Sequence, residues 1–371
     1  MHILIAPDKF KGSLSALAAA EAIARGFRAV WPGATMDLAP IADGGEGFAE
    51  ALASALGAEW VKVRSVDAIG RPIDARYAWL RGEKLAVIEM SEASGLWRIA
   101  PEDRDPLRAD TFGTGLLLAD AIARGAERVL IGIGGSATTD GGAGLARALG
   151  CRFVNRDGVE YRPTPGTLAL LERIERPSSL RLPEIVAACD VQNPLLGVRG
   201  AARVYGPQKG ADADRVEDLE RAMVRLADVC AASFGKDHRD TPGAGAAGGL
   251  GFGLLTFCDA TIRPGFDIIA ETAHLEDRIA AADLIVTGEG RLDDQTLDGK
   301  GPVGVAALAR KHDKRVIGFA GSVTPAAERA GLFDTLVPIA DGLPLADAMR
   351  DAAMLLERAS QRAARLIEMR R

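Results

Sequence analysis

The sequence predicts an α/β protein of two domains, and three features predict it. Both ends of the chain repeat one pattern: a short apolar run, a turn of glycine and acid, then a helix with an apolar stripe. The stretch from Trp60 to Met90 instead alternates apolar and polar residues, as half-buried antiparallel strands do. The 371 residues exceed the common size of one domain. The economical arrangement is a discontinuous domain built from residues 1–60 and 283–371, carrying a Rossmann- or flavodoxin-like parallel sheet. Residues 61–282 are then an inserted mixed α/β domain.

In chain order, Ile3–Ala6 reads as a buried parallel strand that ends in Pro7-Asp8-Lys9-Phe10-Lys11-Gly12-Ser13. A helix is expected from Leu14 to Val30, with Leu17, Ala20, Ala24, Phe27 and Val30 on one face and Ser13 as N-cap. Met36–Ile41 is a second strand. It runs into Ala42-Asp43-Gly44-Gly45-Glu46-Gly47 and a helix over Phe48–Leu56. Strands follow at Val61–Val66, Ala75–Leu80 and Leu85–Met90, with turns at Ile69-Gly70 and Arg81-Gly82. Leu96–Ala109 is polar and proline-bearing, a loop; Thr111 opens a helix to Arg124.

Arg128–Ile133 is an apolar, β-branched run that feeds Gly134-Gly135-Ser136-Ala137-Thr138-Thr139-Asp140-Gly141-Gly142-Ala143-Gly144. Five glycines in those eleven residues let backbone approach a ligand closely, and a helix N-terminus after a strand suits an anion. Glu184–Cys189 is a further apolar strand, ending in Asp190-Val191-Gln192-Asn193-Pro194, and a long helix spans Asp212 to Phe234. Gly243–Gly253 holds six glycines, and as a hinge or a ligand loop it reads equally well. A helix over 266–282 leads to a strand over 283–287, which ends in Gly288-Glu289-Gly290-Arg291-Leu292-Asp293-Asp294. Strands at Arg315–Phe319 and Thr335–Ile339 and a helix over Leu345–Met369 complete the chain.

A net charge of −6 disfavours a nucleic-acid partner, and the C-terminal arginines alternate with acids as on a solvated helix face. Cys151, Cys189, Cys230 and Cys258 are widely spaced among apolar residues and read as buried thiols of a reducing compartment. The four histidines show no metal-ligand spacing. The apolar N-terminal run is too short for a secretory signal, and no segment approaches the ~18 apolar residues of a membrane span, so a cytoplasmic protein is expected.

Acids recur at the predicted strand ends: Asp8, Asp43, Asp140, Asp190, Glu289 and Asp341. Each alone suits a helix cap. Parallel strands bring their carboxyl ends to one edge, where such a set converges. Carboxylates, lysines and glycine loops together suit phosphoryl transfer. No G-x-x-x-x-G-K-[ST] motif is present, and Lys300, before the helix that follows Gly301-Pro302, is its nearest substitute for a phosphate. A rival exists. Gly132-x-Gly134-x-x-Ala137 fits a dinucleotide fingerprint, with Asp157 about 20 residues on, and would make the protein an NAD-dependent dehydrogenase. A small-anion sensor is the non-catalytic alternative, but it has no use for the surplus of strand-end acids.

The motifs as a set resemble those of the class I glycerate kinases, the bacterial glycerate 2-kinases. The resemblance rests on Ala6–Leu14, Ala42–Gly47, Gly132–Gly144, Asn193-Pro194-Leu195, Tyr205–Ala211, and Thr287–Arg291 through Gln295-Thr296 to Gly299-Lys300. It spans nearly the whole chain in order. Phe48 stands where such enzymes usually have threonine, and Tyr205 where they often have phenylalanine. The resemblance implies ATP, Mg²⁺, phosphorylation of D-glycerate at C2 (or, alternatively, C3) and an active site in the cleft between two domains. Chemistry then suggests roles. Asp190 is the expected base, with Asn193 beside it to orient it or a metal, or to contact substrate. Lys11 and Arg291 suit the substrate carboxylate; Gly134, Gly135, Ser136, Lys209 and Lys300 suit nucleotide phosphates; Asp43, Glu289 and Asp293 suit magnesium.

Overall fold

The computed structural model describes residues 1–42, 44–292 and 301–369. Along the chain the strands are β1 (His2–Ile5), β2 (Thr35–Leu38), β3 (Glu59–Val66), β4 (Pro72–Leu80), β5 (Leu85–Glu89), β6 (Arg128–Gly132), β7 (Arg152–Asn155), β8 (Leu171–Glu175), β9 (Glu184–Ala188), β10 (Thr261–Arg263), β11 (Leu284–Leu292), β12 (Val316–Val323) and β13 (Thr335–Pro338). They belong to two compact units, one of Met1–Asp43, Glu50–Gly57 and Phe266–Arg371, the other of Gly44–Ala49 and Ala58–Gly265.

The first unit carries a wholly parallel sheet in the order β13-β12-β11-β1-β2. Ile3, Leu4 and Ile5 are fully buried, as expected of a strand with helices on both faces. The helix Ala16–Arg28 lays Ala19, Ala20, Ile23 and Phe27 into the core beside Leu356, Ala359 and Ala363 of the helix Ala352–Glu368. The two helices cross closely at Gly26, where a Cβ would lie 2.3 Å from the Glu357 carbonyl oxygen.

Helix ends differ from expectation for local reasons. The Ser15 hydroxyl, not that of Ser13, accepts from Ala18 N–H at 3.2 Å; Ser13 instead donates to the Phe10 carbonyl. The helix expected over 266–282 is broken by His274, whose φ of 50° is left-handed, into Gly265–Thr272 and Leu275–Ala281. The last helix divides likewise into Leu345–Arg350 and Ala352–Glu368.

The second unit carries a six-stranded sheet, β10-β9-β6-β5-β4-β3. Strands β10, β9, β6 and β5 are mutually parallel, while β4 and β3 add antiparallel, so the sheet is mixed. A separate hairpin pairs β7 with β8, a strand whose sequence carries no clear alternation. Most of the glycine-rich stretch 243–253 is helical. It forms the start of the helix Ala246–Cys258, interrupted by left-handed backbone at Ala247, Gly248 and Gly249. Its glycines let this helix touch the loop after β6: a Cβ on Gly248 would lie 1.8 Å from the Thr138 carbonyl oxygen. All four cysteines are buried thiols.

Candidate active site

The parallel strands of the second unit end on one edge, and that edge gathers half of the candidate residues. Register pairs place Glu89 of β5 opposite Gly132 of β6, and Gly132 opposite Ala188 of β9. The loops that begin at Gly134 and at Asp190 therefore leave the sheet side by side. β10 ends beside them, and the N–H of Gly265 donates to Asp190 Oδ1 at 3.0 Å. Gly44 and Gly45 belong to the same neighbourhood. A Cβ on Gly134 would lie 2.5 Å from Gly45 Cα, and one on Gly44 would lie 2.9 Å from the Ala188 carbonyl oxygen.

Asp140 is the buried anchor of the glycine loop. Its Oδ2 accepts from Thr111 N–H at 2.9 Å, Thr111 Oγ1 at 2.8 Å and Gly144 N–H at 2.9 Å, and its Oδ1 accepts from Gly142 N–H at 3.3 Å. Burial pushes its carboxyl above the ordinary range, the neighbouring Asp110 charge adds to this, and the donated hydrogen bonds oppose it. Both of its oxygens are engaged, and by accepting from Gly144 N–H it satisfies a first-turn donor of the helix Ala143–Ala148, whose N-cap position is Gly142. The hydroxyls of Thr138 and Thr139 are buried without a hydrogen-bond partner among the described residues.

Lys209 lies in the turn Pro207–Lys209 and is 2% exposed. Its Nζ donates to Ser136 Oγ at 2.7 Å and to the Thr138 carbonyl at 2.5 Å. Desolvation lowers its pKa to about 7, with the Asp140 charge pulling the other way. Lys209 thus grips the glycine loop from within, and Ser136 shares that grip. Gly135 is the exposed tip, with a φ of 75°.

Asn193 has both ends of its amide engaged: Nδ2 donates to the Arg199 carbonyl at 2.7 Å and Oδ1 accepts from the Tyr205 hydroxyl at 2.8 Å. It braces the loop after Asp190. Tyr205, where similar enzymes often have phenylalanine, uses its extra hydroxyl for this brace. Glu89 carried no expected role. It is buried at the end of β5, and its Oε1 accepts from Gly47 N–H at 3.1 Å and Ala49 N–H at 2.8 Å. Its one signal in the sequence was an acid closing an apolar strand.

The carboxyl edge of the first unit gathers Lys11, Glu289 and Arg291. Asp8 N–H donates to the Gly288 carbonyl at 2.8 Å, which sets the loop after β1 along β11. Gly290 lies so near this loop that a Cβ would be 3.1 Å from Lys11 N. Glu289 is half-buried, and Lys11 and Arg291 are exposed. Asp43, Asp293 and Lys300 lie outside the described residues. Among those described, no three His, Cys, Asp or Glu side chains gather to hold a metal ion.

The dinucleotide reading does not survive. Asp157 sits in the exposed turn after β7, outside the main sheet, and β6 is flanked by β5 and β9. The acid that the fingerprint places about 20 residues on therefore does not close a strand beside β6.

Glycine loops, a strand-end aspartate and basic residues at the carboxyl edges of parallel strands define an anion-handling α/β protein. The model of the glycerate kinase family matches residues 3–368, and the chain belongs to that family. A glycerate kinase from Bacillus subtilis (strain 168) is 46% identical over 97% of this chain and 96% of its own. A glycerate 2-kinase from Escherichia coli (strain K12) is 44% identical over 87% of this chain and 86% of its own. The crystal structure of a protein assigned as glycerate kinase 2 from Salmonella typhimurium LT2 superposes with a TM-score of 0.89 at 42% identity, covering 100% of this chain and 98% of that one. The chain is an enzyme, a phosphotransferase of the glycerate kinases. No helix among the described residues is long and apolar enough to cross a membrane.

Proposed function

We propose that the enzyme transfers the γ-phosphoryl group of ATP to the C2 hydroxyl of D-glycerate, giving 2-phosphoglycerate and ADP, in the cytoplasm. One observation carries the reading: the register of β6 and β9 sends a glycine loop and the loop of Asp190 off the sheet as neighbours. A phosphate cradle and a proton acceptor are the two parts that transfer to an alcohol requires. The E. coli relative named a glycerate 2-kinase supports C2 over C3.

On this reading Asp190, held at Oδ1 by Gly265 N–H, takes the C2 hydroxyl proton as that oxygen forms its bond to phosphorus. The Gly134–Ser136 backbone receives nucleotide phosphates. The buried hydroxyls of Thr138 and Thr139 leave this loop with hydrogen-bonding capacity. Lys209 shapes the loop through Ser136 and the Thr138 carbonyl. Lys300 remains a phosphate candidate. Lys11 and Arg291 pair with the glycerate carboxylate. Asn193 keeps the Asp190 loop in place.

Bound Mg²⁺ would supply positive charge to the phosphates. It asks for only one or two carboxylates beside phosphate oxygens. The half-buried Glu289 fits that demand, with Asp43 and Asp293 as further candidates. An assay with D-glycerate, ATP and Mg²⁺, read by ³¹P NMR, tests the reading. A 2-phosphoglycerate product is expected. 3-Phosphoglycerate would overturn the position of transfer, and no turnover with ATP would overturn the donor.

A further inference from the structure

The segment Ser94–Arg98 is zipped onto the glycine loop. Ala137 N–H donates to the Ser94 carbonyl at 2.9 Å, Leu96 N–H donates to the Gly135 carbonyl at 2.9 Å, and Gly95 bridges to Ser136. This pairing fixes the turn Leu96–Arg98 against the exposed tip of the loop, Gly135. The turn carries Trp97, which is 60% exposed. An indole left in water forfeits a large apolar burial. Here it is also held in place. The Arg98 guanidinium carbon lies 4.3 Å from the ring centroid, and Arg98 is itself tied to Glu92 at 3.3 Å. Gly95 accommodates the arrangement, since a Cβ there would lie 2.8 Å from Trp97 Nε1 and 2.3 Å from the Ser91 carbonyl oxygen.

An aromatic ring beside a phosphate loop, backed by a cation and open to solvent, suits a flat π-system. We propose that Trp97 is a stacking platform for the purine base of the nucleotide whose phosphates lie on Gly134–Ser136. This rests on the nucleotide reading above. Trp97 acts on the base alone and leaves the phosphates to the loop.

The test separates base from phosphate. Inhibition constants are measured for ADP and for inorganic tripolyphosphate, which has no base, against wild type, Trp97→Ala, Trp97→Leu and Trp97→Phe. The ADP constant is expected to rise about 5- to 50-fold in Trp97→Ala and Trp97→Leu, and to return to within about threefold in Trp97→Phe. The tripolyphosphate constant is expected to stay put in all four proteins. ADP inhibition that ignores Trp97, or ADP and tripolyphosphate weakening together, would overturn the proposal. Quenching of indole fluorescence by ADP in wild type, lost in Trp97→Phe although ADP still inhibits, is the second expected result. Quenching that persists would count against Trp97. Wild-type turnover with ATP is measured alongside, so a failure of the nucleotide reading is seen independently of these variants.

Discussion

Replacing Lys209 by methionine tests how the glycine loop is held. The buried amine has a pKa of about 7, against an ordinary 10.5. Between those two values the unfolded chain binds a proton that the folded protein does not. Stability from this group therefore rises with pH across the window, is complete above 10.5 and is lost as pH falls through 7. The slope is at most about 1.4 kcal/mol per pH unit. From pH 7.5 to 9.5 wild type should thus gain on the order of 2–3 kcal/mol over Lys209→Met. The assay is urea unfolding of both proteins at several pH values, read as the difference between them. The buried thiols of Cys151, Cys230 and Cys258, all pushed upward by burial, titrate in both proteins and cancel. A pH-independent difference, or one that shrinks as pH rises, would refute the reasoning, because the lysine would then be charged in the fold. Loss of the bonds to Ser136 and Thr138 should also raise the KM for ATP in the variant.

Three further outcomes are expected. Asp190→Asn should lower kcat by about 10²- to 10⁴-fold with unchanged unfolding, and near-normal turnover would remove it from the role of base. Asp140→Ala should cost about 2–4 kcal/mol in urea unfolding, since it strands the Thr111, Gly142 and Gly144 donors; a loss below about 0.5 kcal/mol would show that these bonds are dispensable. Gly248→Ala sets a methyl 1.8 Å from the Thr138 carbonyl oxygen at a φ of 67°, so a loss above about 2 kcal/mol is expected in calorimetry, and a neutral result would contradict that close approach.

Much of the architecture was legible because it follows from local chemistry. Ile3–Ala6, Arg128–Ile133 and Glu184–Cys189 are apolar runs that suit a strand covered on both faces, and proline, glycine or acid closes each one. Helix interruptions were less legible. The left-handed turn at His274 has no glycine to announce it, and the break before Ala352 has no proline.

By itself, the sequence determined that this is an α/β glycerate kinase with glycine loops and acids at its strand ends. Periodicity and turn chemistry are written in neighbouring residues, and the family motifs lie in order along nearly the whole chain. Tertiary structure decided which acids face inward and which stand at an edge. Asp140 looked like any other strand-end acid, yet three residues from a distant and a near segment close around it. Glu89 looked unremarked and anchors Gly47 and Ala49. Lys209 read as a candidate for nucleotide phosphates, and the fold buries it against Ser136 and the Thr138 carbonyl. The glycines of 243–253 read equally as a hinge or a ligand loop, and in the fold several of them permit close backbone approach. Burial and partnership are properties of residues far apart in the chain, so no local pattern could carry them.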